Sequence, residues 1–100
     1  SAAMGKYAMD RLNTELADAP CVGEIAGLGL MIGIEMVADK ASKAPNFMAA
    51  MKVGKEIKAK GLRARAGGRI AFTPPLTITK QEMDKALDIL IPAIAAVKPK

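Results

Sequence analysis

The residues of this chain that could do chemistry are few, and the most telling are arginines. Arg63, Arg65 and Arg69 bracket the run Ala66-Gly67-Gly68. In an extended segment Arg63 and Arg65 share one side, and a glycine turn beside them allows close approach to the backbone. A guanidinium carries a fork of N–H donors that matches a carboxylate or phosphate bidentately. The pattern points to an anion site, with a solvated strand face as the alternative reading. Other candidates are weaker. Gly27-x-Gly29-x-x-x-Gly33 has neither dinucleotide-binding nor P-loop spacing, and a strand pattern follows it where a helix would be needed, so a turn with close packing is expected. Glu24 and Glu35 could be cross-strand neighbours, but over a solvated sheet face they do not make an acid–base pair. Cys21 is the single cysteine and the chain has no histidine. That excludes an internal disulfide, a Cys/His zinc site and a histidine-activated serine or cysteine nucleophile.

The elements that must position the arginines follow from periodicity. Met4, Ala8, Leu12 and Leu16, with Tyr7 beside them, predict an amphipathic helix over Ala2–Ala17, which starts without a clear cap and stops near Pro20. Val22–Val37 reads as two strands with a turn at Gly27-Leu28-Gly29. In the second strand Leu30, Ile32, Ile34 and Met36 share one face, and Met31, Gly33, Glu35 and Val37 the other. The polar stretch Asp39–Pro45 is the candidate linker. Asn46 is the expected N-cap of a second helix with Phe47, Met51 (or Ala50), Gly54 and Ile57 inward, lysines in its last turn and Gly61 as its C′ residue. Leu62–Ala66 and Arg69–Thr73 form a hairpin across Gly67-Gly68, with Ile70 and Phe72 inward, ended by Pro74-Pro75. Thr79-x-x-Glu82 is a capping box opening a last helix to Val97, buried along Met83, Leu87, Leu90 and Ile94, with a kink or early end at Pro92. The order α-β-β-α-β-β-α predicts an α+β domain: a small, largely antiparallel sheet with helices on one face.

Composition bounds the rest. One hundred residues make a single domain, and of the 51% apolar residues many are alanine, so the core is small and aliphatic. No apolar run approaches a membrane span, and the first residues do not read as a signal peptide, which favours the cytoplasm. Net charge is +5, and residues 51–70 hold seven basic groups against Glu56 alone. With no aromatic among those charges, nucleic acid is poorly supported as the partner.

Two longer runs then carry a resemblance. Val22-Gly-Glu-Ile-Ala-Gly-Leu-Gly-Leu-Met-Ile-Gly-Ile-Glu-Met-Val37 and Gly61-Leu-Arg-Ala-Arg-Ala-Gly-Gly-Arg-Ile-Ala-Phe-Thr-Pro-Pro-Leu-Thr-Ile-Thr79 are similar to the C-terminal small domain of class III (omega) aminotransferases, and the loop Ala38–Pro45 resembles the amine:pyruvate branch. The resemblance implies a pyridoxal-phosphate enzyme of the fold-type I superfold, acting as a homodimer on an amine or omega-amino acid and a keto acid. It implies that the cofactor and its Schiff-base lysine belong to a large domain outside these residues. This chain would then hold no catalytic or cofactor-binding residue, and alone it would be inactive. One role carries over: Arg65 matches the movable arginine that binds the substrate carboxylate. The chain departs from the family pattern in having Ala26 where arginine is frequent and a slightly shorter stretch from Arg65 to Pro74. Arg63 and Arg69 match no functional position of the family. Two rival expectations remain: a class III enzyme with an ornithine, diamine or glutamate-semialdehyde substrate or another acceptor, and a stand-alone anion-binding module using residues 51–70.

Overall fold

The computed structural model describes residues 2–28, 31–41, 44–62, 64–66, 69–75 and 77–97. Three helices and four strands follow in the expected order: α1 Ala2–Glu15, β1 Val22–Leu28, β2 Met31–Met36, α2 Phe47–Ala59, β3 Arg65–Ala66, β4 Arg69–Phe72 and α3 Lys80–Ala95. The strands form one antiparallel sheet in the order β1-β2-β4-β3. Local hairpins supply its outer pairs, and the non-local β2–β4 pairing joins them in the middle.

The core lies on one side of the sheet. Ile32, Ile34 and Met36 of β2 and Ile70 and Phe72 of β4 are buried together with Leu12 and Leu16 of α1, Val53 and Ile57 of α2, and Met83, Leu87, Leu90 and Ile94 of α3. Strand alternation thus turns Ile34 and Ile70, which are register partners, into the helix layer. The residues between them in sequence, among them Gly33, Glu35, Arg69 and Ala71, turn to the other face.

Several boundaries differ from the sequence expectations. The turn expected at Gly27–Gly29 does not include Gly27, which pairs with Ile32 inside β1; Leu28 opposes Met31, so the connection falls on residues 29 and 30, outside the described residues. Gly27 serves the close approach of α1 instead, because a Cβ there would stand 2.8 Å from Met9 Sδ. Val37 is buried rather than on the open face, because it leaves β2 to bridge Pro45. The expected linker Asp39–Pro45 is a loop tied at its base: the Ala38 N–H donates to the Ala44 carbonyl at 2.8 Å and the Asn46 N–H to that of Met36 at 3.1 Å.

Helix α2 is capped as expected, the Asn46 side chain accepting from the Ala49 N–H at 3.2 Å, but its buried stripe is Ala49, Ala50, Val53 and Ile57. Of the set expected inward, Ile57 and Ala50, the alternative to Met51, are buried and Gly54 is half-buried, but Phe47 and Met51 are 57% and 62% exposed. The stripe through them continues to Lys55 and Lys58, which no core accepts, whereas the one through Ala50 continues to Val53 and Ile57. At the other end, Gly61 takes φ +91°, the Gly61 N–H donates to Lys58 and the Leu62 N–H reaches back to Ile57 at 2.9 Å. This is a Schellman motif. Because the Leu62 N–H is spent on the helix, β3 contains just Arg65 and Ala66 and not the five residues expected. Helix α3 has both bonds of its capping box and runs on to Ala95, so the early end expected at Pro92 does not occur. Pro92 and Asp88 are exposed, while Ile91, Ala93 and Ile94 hold the last turn in the core. The Gly67-Gly68 turn and Arg63 lie outside the described residues.

Candidate functional site

Arg65 sits on the open face of the sheet at the end of a row of small residues. Register partners run straight across the strands: Ala26 opposite Gly33, Gly33 opposite Ala71, and Ala71 opposite Arg65. With no side chain larger than a methyl group in the first three places, the row is a shallow trough, continued by Met31 and Thr73. Arg65 is exposed and makes no ion pair or side-chain hydrogen bond with another described residue.

Arg69 enters from the side. It stands opposite Glu35 across the β2–β4 pairing, two residues before Ala71, so it is the diagonal neighbour of Arg65 on the same face, about 7 Å away between backbones. Its side chain lies along the trough wall: a Cβ placed on Gly33 would be 4.0 Å from both Arg69 Cδ and Nη1. Its other terminal nitrogen, Nη2, faces Glu35 Oε2 at 4.0 Å. Glu35 is itself fixed from the opposite side. Between Val22 and Ile25 the β1 register slips, so that Gly23 and Glu24 both oppose Glu35, and the Glu24 N–H donates to Glu35 Oε1 at 3.2 Å. The open face therefore carries a guanidinium with no partner among the described residues, a paired one and the carboxylate that pairs it, all on the strands of a single sheet.

The sequence singled out Arg65 and Arg69 from their spacing but missed the part played by Glu35, which was weighed with Glu24 as an acid–base pair. The signal was non-local: Glu35 meets Arg69 through a strand pairing that no turn between them announces. The lysines of residues 51–70 do not join the site. Lys52, Lys55 and Lys58 are exposed on α2, which packs on the opposite side of the sheet, and Lys60, the residue that caps its end, is exposed and pairs with Glu56 at 3.8 Å. A groove between α2 and the end of α3 is walled mainly by alanine and valine, with Lys52 and Lys55 at its rim, and brings no set of polar groups together. Cys21 is buried, its thiol held above the ordinary range by burial and then by Asp39, so it is no nucleophile. No group of metal-ligating side chains occurs among the described residues, and no described helix is long and apolar enough to cross a membrane.

The chain matches the class-III aminotransferase family model over residues 1–94. It is 37% identical over 97 residues to a leucine/methionine racemase of Thermococcus litoralis, covering 95% of this chain and 22% of that protein. It is 36% identical over 92 residues to a diaminobutyrate–2-oxoglutarate transaminase of Halomonas elongata, covering 85% of this chain and 19% of that one. Among solved structures, an omega transaminase from Pseudomonas jessenii in complex with PMP superimposes with a TM-score of 0.85 at 33% identity, over 92% of this chain and 21% of that one. The chain belongs to the class III aminotransferase family, and its fold is that of a part of the fold-type I transaminases. It spans about a fifth of the length of the relatives it matches.

Family membership implies pyridoxal phosphate, and the described residues do not fit it. The cofactor needs a lysine beside its aldehyde and donors around its phosphate. Every described lysine is exposed, on a helix or, in the case of Lys40, in the loop after β2 with its Nζ donating to the Ala17 carbonyl at 2.8 Å. None stands on the open sheet face with Arg65.

Proposed function

We propose that this chain is the C-terminal small domain of an omega-aminotransferase that moves an amino group from an amine or omega-amino acid to pyruvate, and that Arg65 holds the carboxylate of the acceptor. The observation that carries the reading is the position of Arg65: an unpaired guanidinium, among the described residues, at the end of a trough floored by Ala26, Gly33 and Ala71. The trough admits a small flat molecule edge-on, and the fork of N–H donors fixes its charged end. Pyridoxal phosphate would be held by residues outside this chain and would supply the electron sink. The contribution of this chain is then to bind and orient, not to transfer protons. A parent enzyme active as a cytoplasmic homodimer completes the proposal. The likeness to the Pseudomonas jessenii omega transaminase supports the amine-directed branch.

The test uses the full-length enzyme that carries these residues. Arg65→Ala lowers kcat/KM for pyruvate about a hundredfold or more, as expected when one member of a charge-assisted pair is removed. It changes the value for an amine without a carboxylate by less than about threefold. Equal losses for both substrates overturn the role. A second reading within the family has its own support: the Halomonas relative is a diaminobutyrate–2-oxoglutarate transaminase. Comparing pyruvate with 2-oxoglutarate as acceptor separates the two.

A further inference from the structure

We propose that Glu35 sets the choice of acceptor by consuming the charge of Arg69, so that among the described residues the trough keeps Arg65 as its one uncompensated cation and is matched to a keto acid with a single carboxylate. The inference rests on the reading of Arg65 as the carboxylate anchor and deepens it. Two of the described residues on this face are arginines, and without a counter-charge they would offer a doubly charged acid two anchors. Glu35 prevents that. Its Oε2 lies 4.0 Å from Arg69 Nη2, while Oε1 is held by the Glu24 N–H at 3.2 Å, so the carboxylate is tethered to the backbone of β1 and does not follow the arginine if it turns. The ion pair is half-exposed, with Arg69 at 50% and Glu35 at 33%, so it is weak enough to be altered without unfolding the sheet. Nη1 of Arg69 lies against the Gly33 floor, already at the edge of the trough. With Arg65 unpaired among the described residues and Arg69 neutralised, a monocarboxylate balances the site, whereas a second carboxylate would approach a guanidinium whose charge is already met by Glu35. Glu35 is thus a positioning residue that acts through Arg69.

In the full-length enzyme, Glu35→Gln keeps the shape of the side chain and removes its charge. The ratio of kcat/KM for 2-oxoglutarate to that for pyruvate should rise about tenfold, the scale of one added charge-assisted contact. The change should appear in the KM of the keto acid and leave kcat for the amine half-reaction within about twofold. Adding Arg69→Met to Glu35→Gln should return the ratio to the starting value. If Glu35→Gln does not fold, Arg69→Met alone serves: it leaves Glu35 unpaired beside the trough and should lower the same ratio. An unchanged ratio in Glu35→Gln, or a rise that survives Arg69→Met, overturns the proposal. Arg65→Ala tells this failure from failure of the underlying reading. If it abolishes use of both keto acids while Glu35→Gln leaves the ratio alone, the anchor stands and the selectivity role falls. If Arg65→Ala leaves both keto acids unaffected, the anchor itself is lost.

Discussion

Glycines decide what the open face can do, and two of them do so by opposite means. A methyl group on Gly23 would overlap Glu35 Oε1 and stand 2.9 Å from Val37 Cγ1, with the carboxylate tethered and the valine buried. Gly23→Ala should therefore destabilise the chain by about 1–3 kcal/mol, the scale of overpacking, in denaturant unfolding. A methyl group on Gly33 meets nothing nearer than 4.0 Å, so Gly33→Ala should fold with stability changed by less than about 1 kcal/mol. It would, however, raise the floor of the trough and lower keto-acid kcat/KM in the full-length enzyme. A stability loss at Gly33 as large as that at Gly23 would contradict this account. The sequence placed Gly33 on the face of β2 that carries Glu35 but gave it no floor to form, and Gly23 figured there only within the longer Val22–Val37 run. Both roles depend on which strands lie side by side, and glycine leaves no periodic trace of its neighbours.

At the scale of elements, what is local was legible and what is shared between segments was not. The Asn46 cap, the Thr79–Glu82 box and the glycine that ends α2 each satisfy backbone groups within a few residues, so their sequence signatures suffice. The face of α2 followed only in part from its apolar positions: Ile57 and Ala50 are buried as allowed for, but Phe47 and Met51 compete with Ala50 and Val53 for one helix and only the sheet beneath decides between them. Met48 is 74% exposed beside them, so the bulkiest apolar side chains of α2 lie outside the core. The length of β3 depended on where one N–H was used, that of Leu62. This gives Gly61 a measurable weight. With φ at +91° and open space around its missing Cβ, Gly61→Ala carries conformational strain and no clash, and should cost about 1–2 kcal/mol in thermal or denaturant unfolding. A neutral substitution would mean that the turn relaxes without loss.

Across the whole molecule, the two ends of the chain are held together by polar contacts between α1 and α3. Tyr7 donates its hydroxyl proton to Asp84, and Arg11 reaches Asp84 at 3.1 Å and Asp88 at 3.0 Å as well as Glu15. Lys80 lies 5.0 Å from the centre of the Tyr7 ring. The Asp84 carboxyl is held below its ordinary range, first by the Tyr7 hydroxyl and then by Lys80 and Arg11 against the opposing effect of burial. A carboxyl depressed in the folded state contributes stability that is complete above its unfolded pKa and is lost as pH falls through the folded one. The melting temperature should therefore exceed that of Asp84→Asn at neutral pH, with the difference shrinking toward zero in acid. A gap that persists below the carboxylate range would assign the effect to packing.

The order β1-β2-β4-β3 also decides which strands of this chain form the two borders of the sheet. At one end β3 has just two residues, too few to seed a new strand. At the other, β1 offers seven, most of them apolar or glycine, in an extended run that a partly unfolded neighbour could copy by adding itself alongside. The register slip at Gly23 and Glu24 interrupts that run near its start and leaves an exposed negative charge there. The irregularity that tethers Glu35 thus also breaks up the longest edge run among the described strands.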